Sequence, residues 1–181
     1  VDDGAGGTLR KSAMSRVKTY VGGGITHAHQ WRLTTAHSNM DNGDYINLNW
    51  EEADTYGYGG IGTSFSAPSS AVWTFPETGI WYIQLHCDFV DATEQAYIGG
   101  KIQTTTDNSS YGDLAQGIQH LKLINSGNTY AHAVVSGIFD VTNTTTHKCR
   151  FAVSCENNNI NLNGNTSRTD TGAVFIRLGD T

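Results

Sequence analysis

Alternation of apolar and polar residues with a period of two dominates the chain from residue 29 onward. In the segment 81–89 the apolar residues occupy the odd positions. They are Trp81, Ile83, Leu85, Cys87 and Phe89. Such a period is typical of a β-strand with one buried face. We predict strands over 29–35, 45–50, 71–76, 79–90, 96–104, 118–125, 130–142, 147–155 and 172–178. The polar, glycine-rich stretches 54–70 and 107–117 are predicted to be loops and turns.

The number and spacing of these strands predict an all-β protein built as an antiparallel sandwich or jelly roll. No stretch after residue 28 shows a helical period, and no internal repeat is visible. We therefore predict a single jelly-roll domain over 29–181.

Residues 1–28 have a different pattern and are predicted to be an arm or linker that contains a short helix. Leu9, Met14, Val17 and Tyr20 recur at helical spacing. The glycines at 22–24 end this pattern, because glycine favours the backbone conformations that stop a helix. Since the apolar stripe has little to pack against locally, we expect the helix over 9–21 to contact a partner chain.

The strand predicted over 130–142 has two apolar faces. One face carries Ala131, Ala133, Val135, Phe139 and Val141, which is the pattern of a core face. The other carries Tyr130, His132, Val134, Ser136 and Ile138. Because the outer face of a two-layer sandwich is usually polar, this second face predicts a subunit interface. The interface residues are predicted to be Tyr130, His132, Val134 and Ile138.

Charge is low and unevenly distributed. Only 15% of residues are charged, against about 25% in a typical domain, which suits an uncharged polar β surface. Residues 1–24 carry four basic and two acidic residues, net +2, whereas the remainder carries 7 basic and 15 acidic residues, net −8. The acidic body argues against nucleic acid as a partner.

The sequence contains no apolar run of about 18 residues, so no membrane insertion is predicted. No signal peptide is recognisable, and the chain starts at Val1. We therefore expect a fragment or a processed product.

The three cysteines are predicted to be free and buried. Cys87, Cys149 and Cys155 all fall on predicted core faces. Cys149 and Cys155 lie on one strand, about 20 Å apart, too far for a disulfide. A disulfide between Cys87 and either of the others stays open. Free buried thiols fit folding in a reducing cytosol.

No catalytic motif is present, so we predict that the protein is not an enzyme. His27 and His29 would share a strand face as half of a metal site, but no third ligand is identifiable. Asp107, Asp113 and the acidic and amide residues of 156–159 are Ca²⁺ candidates, although such residues are common in turns. No metal and no cofactor are predicted.

The best candidates for ligand contact are Tyr56 and Tyr58, on a loop that continues with Gly59 and Gly60. A tyrosine on a flexible loop can stack on a sugar ring. The alternative is that this loop packs against a neighbouring subunit.

The segment 73–82, Trp-Thr-Phe-Pro-Glu-Thr-Gly-Ile-Trp-Tyr, resembles the Phe-x-x-Pro-x-x-Gly-hydrophobic-Tyr motif of C1q/tumour-necrosis-factor-like jelly rolls. The resemblance extends over residues 29–181. It implies a compact homotrimer in which apolar strand faces line the threefold axis.

The segments 1–11 and 15–22 are similar to a short sequence found in bacteriophage tail-fibre and other virion proteins. This similarity implies a virion structural protein that is assembled in the host cytoplasm. Its implied partners are other virion proteins, bound through the N-terminal arm, and a glycan or receptor on the host surface.

Three functions are therefore expected, in order of preference. The first is a trimeric fibre or appendage head that takes part in host attachment, with weak single sites strengthened by avidity. The second is a capsid decoration, or cement, protein that stabilises the shell. The third is a secreted lectin-like or cytokine-like binding module.

Overall fold

The computed structural model describes residues 24–123 and 127–181, and within these ranges every regular element is a β-strand. In chain order the strands are β1 (Ala28–Leu33), β2 (His37–Met40), β3 (Trp50–Glu52), β4 (Val72–Thr74), β5 (Gly79–Asp91), β6 (Gln95–Thr105), β7 (Gly112–Leu121), β8 (Thr129–Val141), β9 (Lys148–Cys155), β10 (Ile160–Leu162) and β11 (Gly172–Gly179). The helix predicted over 9–21 lies outside the described residues.

The strands form two antiparallel sheets. The large sheet has the order β2-β10-β5-β11-β1-β3, and β8 pairs with the other edge of β5. The small sheet has the order β4-β9-β6-β7. Strands adjacent in a sheet are mostly distant in sequence, as β11 between β5 and β1 shows. This arrangement confirms the predicted all-β, antiparallel jelly-roll sandwich.

Strand β5 organises the large sheet because it is paired along both edges. On one edge it pairs with β8 over its full length, from Gly79 opposite Val141 to Asp91 opposite Thr129. On the other edge it pairs first with β11 and then with β10. The residues of β5 alternate between buried odd positions and half-buried even positions. The predicted period of two in β5 is thus confirmed. Because β8 pairs with β5 residue by residue, the same alternation determines which face of β8 points outward.

An aromatic cluster fills the core between the sheets, with Trp73 at its centre. The Trp73 ring packs edge-to-face on Trp31 and Trp50, at centroid distances of 5.1 and 5.3 Å. It also lies 5.1 Å from Phe175 and 6.0 Å from Phe151. Both sheets contribute to this cluster, so it holds them together.

The turn before β5 requires glycine at Gly79. Its φ angle is +147°, a conformation that residues with side chains rarely adopt. A Cβ at this position would also approach the Arg177 guanidinium and lie 2.6 Å from the Gly179 carbonyl oxygen. The Trp81 indole N–H donates to the Glu77 carbonyl at 3.1 Å, which fixes the turn on the core.

Two of the sequence predictions were wrong in detail. Residues 107–117 were predicted to be a loop, but residues 112–117 form the first part of β7 at the edge of the small sheet, which continues into the predicted strand 118–125. Residues 45–50 were predicted to be an alternating strand, but Leu48 is exposed and the strand pairing of β3 begins only at Trp50. The local fold there is an irregular segment in which the Trp50 indole donates to the Ile46 carbonyl at 2.9 Å.

The cysteine prediction agrees with the structure. Cys87, Cys149 and Cys155 are free and fully buried. Burial raises the pKa of all three thiols, because the charged thiolate is disfavoured away from water. These thiols are therefore inert core residues.

Candidate functional site

The outward face of β8 is exposed and largely apolar. Tyr130, Val134 and Ile138 are 64%, 50% and 60% exposed, and His132 is exposed between them. The intervening odd residues are mostly buried in the core. The structure thus places all four residues of the predicted interface on one face of one strand.

This apolar surface continues across the large sheet. Tyr82 of β5 lies opposite Ile138 of β8 on one side and opposite Ile176 of β11 on the other. We call this surface the outer face; its apolar members are Tyr82, Tyr130, Val134, Ile138, Val174, Ile176 and Leu178. Exposed apolar surface that is continuous over several strands marks an interaction site.

A pair of histidines lies within the outer face. The rings of His86 and His132 are 6.0 Å apart, and Asp88 is the cross-strand partner of His132. Burial lowers the pKa of His86, and the neighbouring His132 lowers it further, while Asp88 raises it. The neutral form of His86 is therefore favoured in the folded protein.

Folding stability is expected to fall as the pH drops from about 7.5 to about 5.5. Because the pKa of His86 in the folded protein lies below its ordinary value of 6.5, His86 takes up a proton more readily in the unfolded chain than in the folded one. His27 and His37 act in the same direction. Thermal unfolding of the His86→Gln variant should show a smaller decrease over this range than the unsubstituted chain. His120→Gln, at an exposed site, serves as the control, and an equal decrease in all three proteins would contradict the assignment.

A second surface feature is a cleft beside β1. It has a volume of about 330 Å³ and lies between the loop 53–58 and the loop 167–169, with Gln30 and Arg32 of β1 at its base. Both predicted ligand-contact residues, Tyr56 and Tyr58, line it. We call it the tyrosine cleft.

The two tyrosines of the cleft have different environments. Tyr56 is 90% exposed, at a φ angle of +54°, so its ring is free for contact with a ligand. The Tyr58 hydroxyl accepts a hydrogen bond from the Gln30 backbone N–H at 2.8 Å and donates one to Glu52 Oε1 at 3.1 Å. Tyr58 is therefore a fixed part of the wall, and Tyr56 is the stacking candidate.

A buried arginine network, which the sequence analysis did not identify, holds the cleft in shape. Arg32 Nε donates to Glu51 at 2.8 Å, while its terminal nitrogens donate to Thr55 at 2.8 Å and Asp54 at 2.6 Å. The two loops are further joined because Thr55 Oγ1 donates to the Ser167 carbonyl at 3.1 Å. With these donors occupied, Arg32 orders the walls of the cleft and is not itself available as an anion site.

At the opposite rim of the cleft, Arg168 is exposed and is paired with Asp170 at 2.6 Å. Beneath it, the Gln30 side chain donates to Thr169 Oγ1 at 2.8 Å. The open part of the cleft is therefore lined by hydroxyl, amide and charged groups, with one free aromatic ring. This combination suits a polyhydroxylated ligand.

His27 and His29, the suggested half of a metal site, are buried on one face with ring centroids 6.2 Å apart. They contact different carboxylates: His27 Nδ1 lies 3.4 Å from Glu77, and His29 Nδ1 lies 2.8 Å from Glu52. Among residues 24–123 and 127–181, no group of three metal-ligand side chains lies close enough together to hold a metal ion.

The same described residues include no helix with the length and hydropathy of a membrane span.

Comparison with known proteins supports the fold alone. No protein-family model and no curated protein sequence matches the chain. Among solved structures, the Eiger TNF from S. frugiperda is similar with a TM-score of 0.61 and 12% identity, covering 88% of this chain and 96% of that one. Murine APRIL at pH 8.0 is similar with a TM-score of 0.58 and 15% identity, covering 84% and 98%. The described residues thus adopt a tumour-necrosis-factor-like jelly roll, as the motif over 73–82 implied.

Proposed function

We propose that this chain is a homotrimeric binding module, without catalytic activity, whose subunits associate through the outer face. The observation that carries the proposal is the exposure of Tyr130, Val134 and Ile138 on a strand whose other face lies in the core. A monomer would leave these residues in water, together with the adjoining apolar residues of β5 and β11. Their burial between subunits supplies a hydrophobic driving force for association.

The threefold arrangement follows from the jelly-roll resemblance and suits the shape of the exposed surface. The outer face runs from β8, at one edge of the large sheet, across β5 to β11. Ile118 of β7 adds an exposed apolar side chain near the β8 edge, since Gly117 approaches the Val134 carbonyl oxygen closely. A surface that wraps one edge and one face favours head-to-tail contacts, and such contacts form a closed trimer when the rotation between neighbouring subunits is about 120°.

The tyrosine cleft is the proposed ligand site of each subunit, and its proposed ligand is a glycan. Tyr56 supplies the exposed ring for stacking, and the hydrogen-bonded walls around Gln30 and Thr169 supply fixed polar groups. Three such sites on one trimer would convert weak single-site binding into firm attachment.

The more specific role that we propose is that of a fibre or appendage head on a virion, which attaches to a glycan or receptor of the host cell. Support comes from the similarity of segments 1–11 and 15–22 to virion proteins. These segments would join the head to other virion proteins. The low proportion of charged residues, 15%, suits contact with a neutral polysaccharide.

Binding of the purified chain to a panel of bacterial cells and their surface polysaccharides tests this role. Replacing Tyr56 with alanine should weaken binding by about tenfold or more, because each of the three sites loses its stacking ring. Tyr56→Phe keeps the ring and should bind as the unsubstituted chain does. If the chain bound none of the cells or polysaccharides but did bind expanded capsids, the result would contradict a role in host attachment and favour a capsid decoration protein.

A further inference from the structure

The small sheet carries an arginine with an unusual environment on its outward surface. The Arg150 guanidinium carbon lies 4.2 Å from the Tyr45 ring centroid and 3.8 Å from the Tyr111 ring centroid, over both rings. Tyr45 belongs to a segment that bridges to β9 at Ala152, and Tyr111 directly precedes β7. Two aromatic rings from separate parts of the chain therefore converge on one cation.

A hydrogen bond fixes the orientation of the Arg150 side chain. Its Nε donates to Gln103 Oε1 at 2.8 Å, and the Gln103 amide nitrogen donates to Asp113 at 2.6 Å. These residues are direct cross-strand partners, since Arg150 lies opposite Gln103 and Gln103 lies opposite Asp113. A guanidinium held in this way loses little conformational entropy when it binds a ligand.

The terminal nitrogens of Arg150 differ in their partners from those of the other arginines of the sandwich. Arg32, Arg168 and Arg177 each form an ion pair with a carboxylate. For Arg150, none of the carboxylates in the described part of the chain lies within 4.0 Å. A guanidinium has five N–H donors, and among residues 24–123 and 127–181 only the Nε donor of Arg150 has a protein acceptor.

Two acidic residues of this region, Asp113 and Asp107, already accept hydrogen bonds from other residues. Asp113 accepts hydrogen bonds from Gln103 and Lys101. Asp107 accepts hydrogen bonds from the backbone N–H groups of Ser109 and Ser110 within its own turn. Their negative charge still limits what can bind, and with a net charge of −6 the chain would repel a polyanion. The site therefore suits a ligand with a single anionic group.

We propose that Arg150, flanked by Tyr45 and Tyr111, is a binding site for the carboxylate of an acidic sugar. The two terminal nitrogens of a guanidinium match the two oxygens of a carboxylate in spacing and plane. The partly exposed tyrosines supply aromatic and hydroxyl groups beside the charge, where the neutral part of a sugar would lie. This site is on the small sheet, so it does not depend on the outer face or on the tyrosine cleft.

Calorimetric titration and NMR with methyl β-D-glucuronide as the probe test this proposal, with methyl β-D-glucoside as the neutral comparison. Binding of the glucuronide should be at least about tenfold tighter than that of the glucoside. Arg150→Gln should remove this difference, and Arg150→Lys should weaken binding because a point charge lacks the planar pair of donors. Lys122→Gln, which removes one exposed positive charge elsewhere, should change binding by less than about twofold.

Three results would overturn the proposal: no glucuronide binding, equal loss in Arg150→Gln and Lys122→Gln, or tighter binding of glucose 6-sulfate or glucose 6-phosphate than of the glucuronide. Circular dichroism of each variant establishes that it is folded. Arg150→Lys keeps the positive charge in place, so it remains informative if Arg150→Gln unfolds. The titration can also be carried out on a monomeric variant, so its result does not depend on whether the chain forms a trimer.

Discussion

Replacement of both Val134 and Ile138 with aspartate is expected to give a monomer of 19.6 kDa that keeps its fold. Both side chains project from β8 into solvent in the isolated subunit, so the substitutions leave the core unchanged. At a subunit interface they would bury carboxylates with no partner, at a cost of several kcal/mol per charge. Size-exclusion chromatography with light scattering measures the change in mass.

Leu48→Asp provides the matched control, because Leu48 is comparably exposed but lies in the segment before β3, off the outer face. It adds one carboxylate to the surface of each subunit, as each substitution of the double variant does, and should leave the oligomer intact. If the Val134/Ile138 double variant kept the mass of the unsubstituted protein, the outer face would not be the interface.

Trp73→Ala is expected to be the most destabilising single substitution in the core. Trp73 is fully buried and contacts aromatic residues of both sheets. Removal of a buried tryptophan side chain costs about 3–5 kcal/mol. Since domains of this size are stable by only about 5–15 kcal/mol, much of the free energy of unfolding would be lost. Chemical denaturation followed by circular dichroism measures it.

Trp73→Phe separates loss of volume from loss of the indole N–H. The Trp73 indole nitrogen is buried and has no hydrogen-bond partner within the described structure, so phenylalanine removes an unsatisfied polar group. This variant should lose clearly less stability than the alanine variant. Equal losses in the two variants would show that the cluster does not depend on the volume of the Trp73 ring.

The long strands were predictable from sequence because each has one core face and one solvent face. In β5 and β8 the buried residues recur at every second position, so the pattern predicts both the strand and which of its faces is buried. The first part of strand β7, residues 112–117, was missed because β7 is an edge strand whose side chains are mostly polar or exposed. Its position is set by backbone pairing with β6, which leaves no apolar period to detect. Strands β2 and β10, of four and three residues, are too short to show a period.

The residues of the candidate sites were predictable only where they lie close together in the sequence. The interface residues of β8 share one strand, and Tyr56 and Tyr58 share one glycine-rich loop. The network around Arg32, by contrast, joins β1 to carboxylates about twenty residues further along. Arg150 is brought beside Tyr45 and Tyr111 by the pairing of distant strands. Such contacts depend on topology, which spacing along the chain does not reveal.

Sedimentation equilibrium of the unsubstituted chain distinguishes a homotrimer from a monomer. We expect a single species with about three times the subunit mass of 19.6 kDa, stable on dilution to low micromolar concentration. A monomer over the whole concentration range would contradict it, because the outer face would then be exposed to water with no partner subunit.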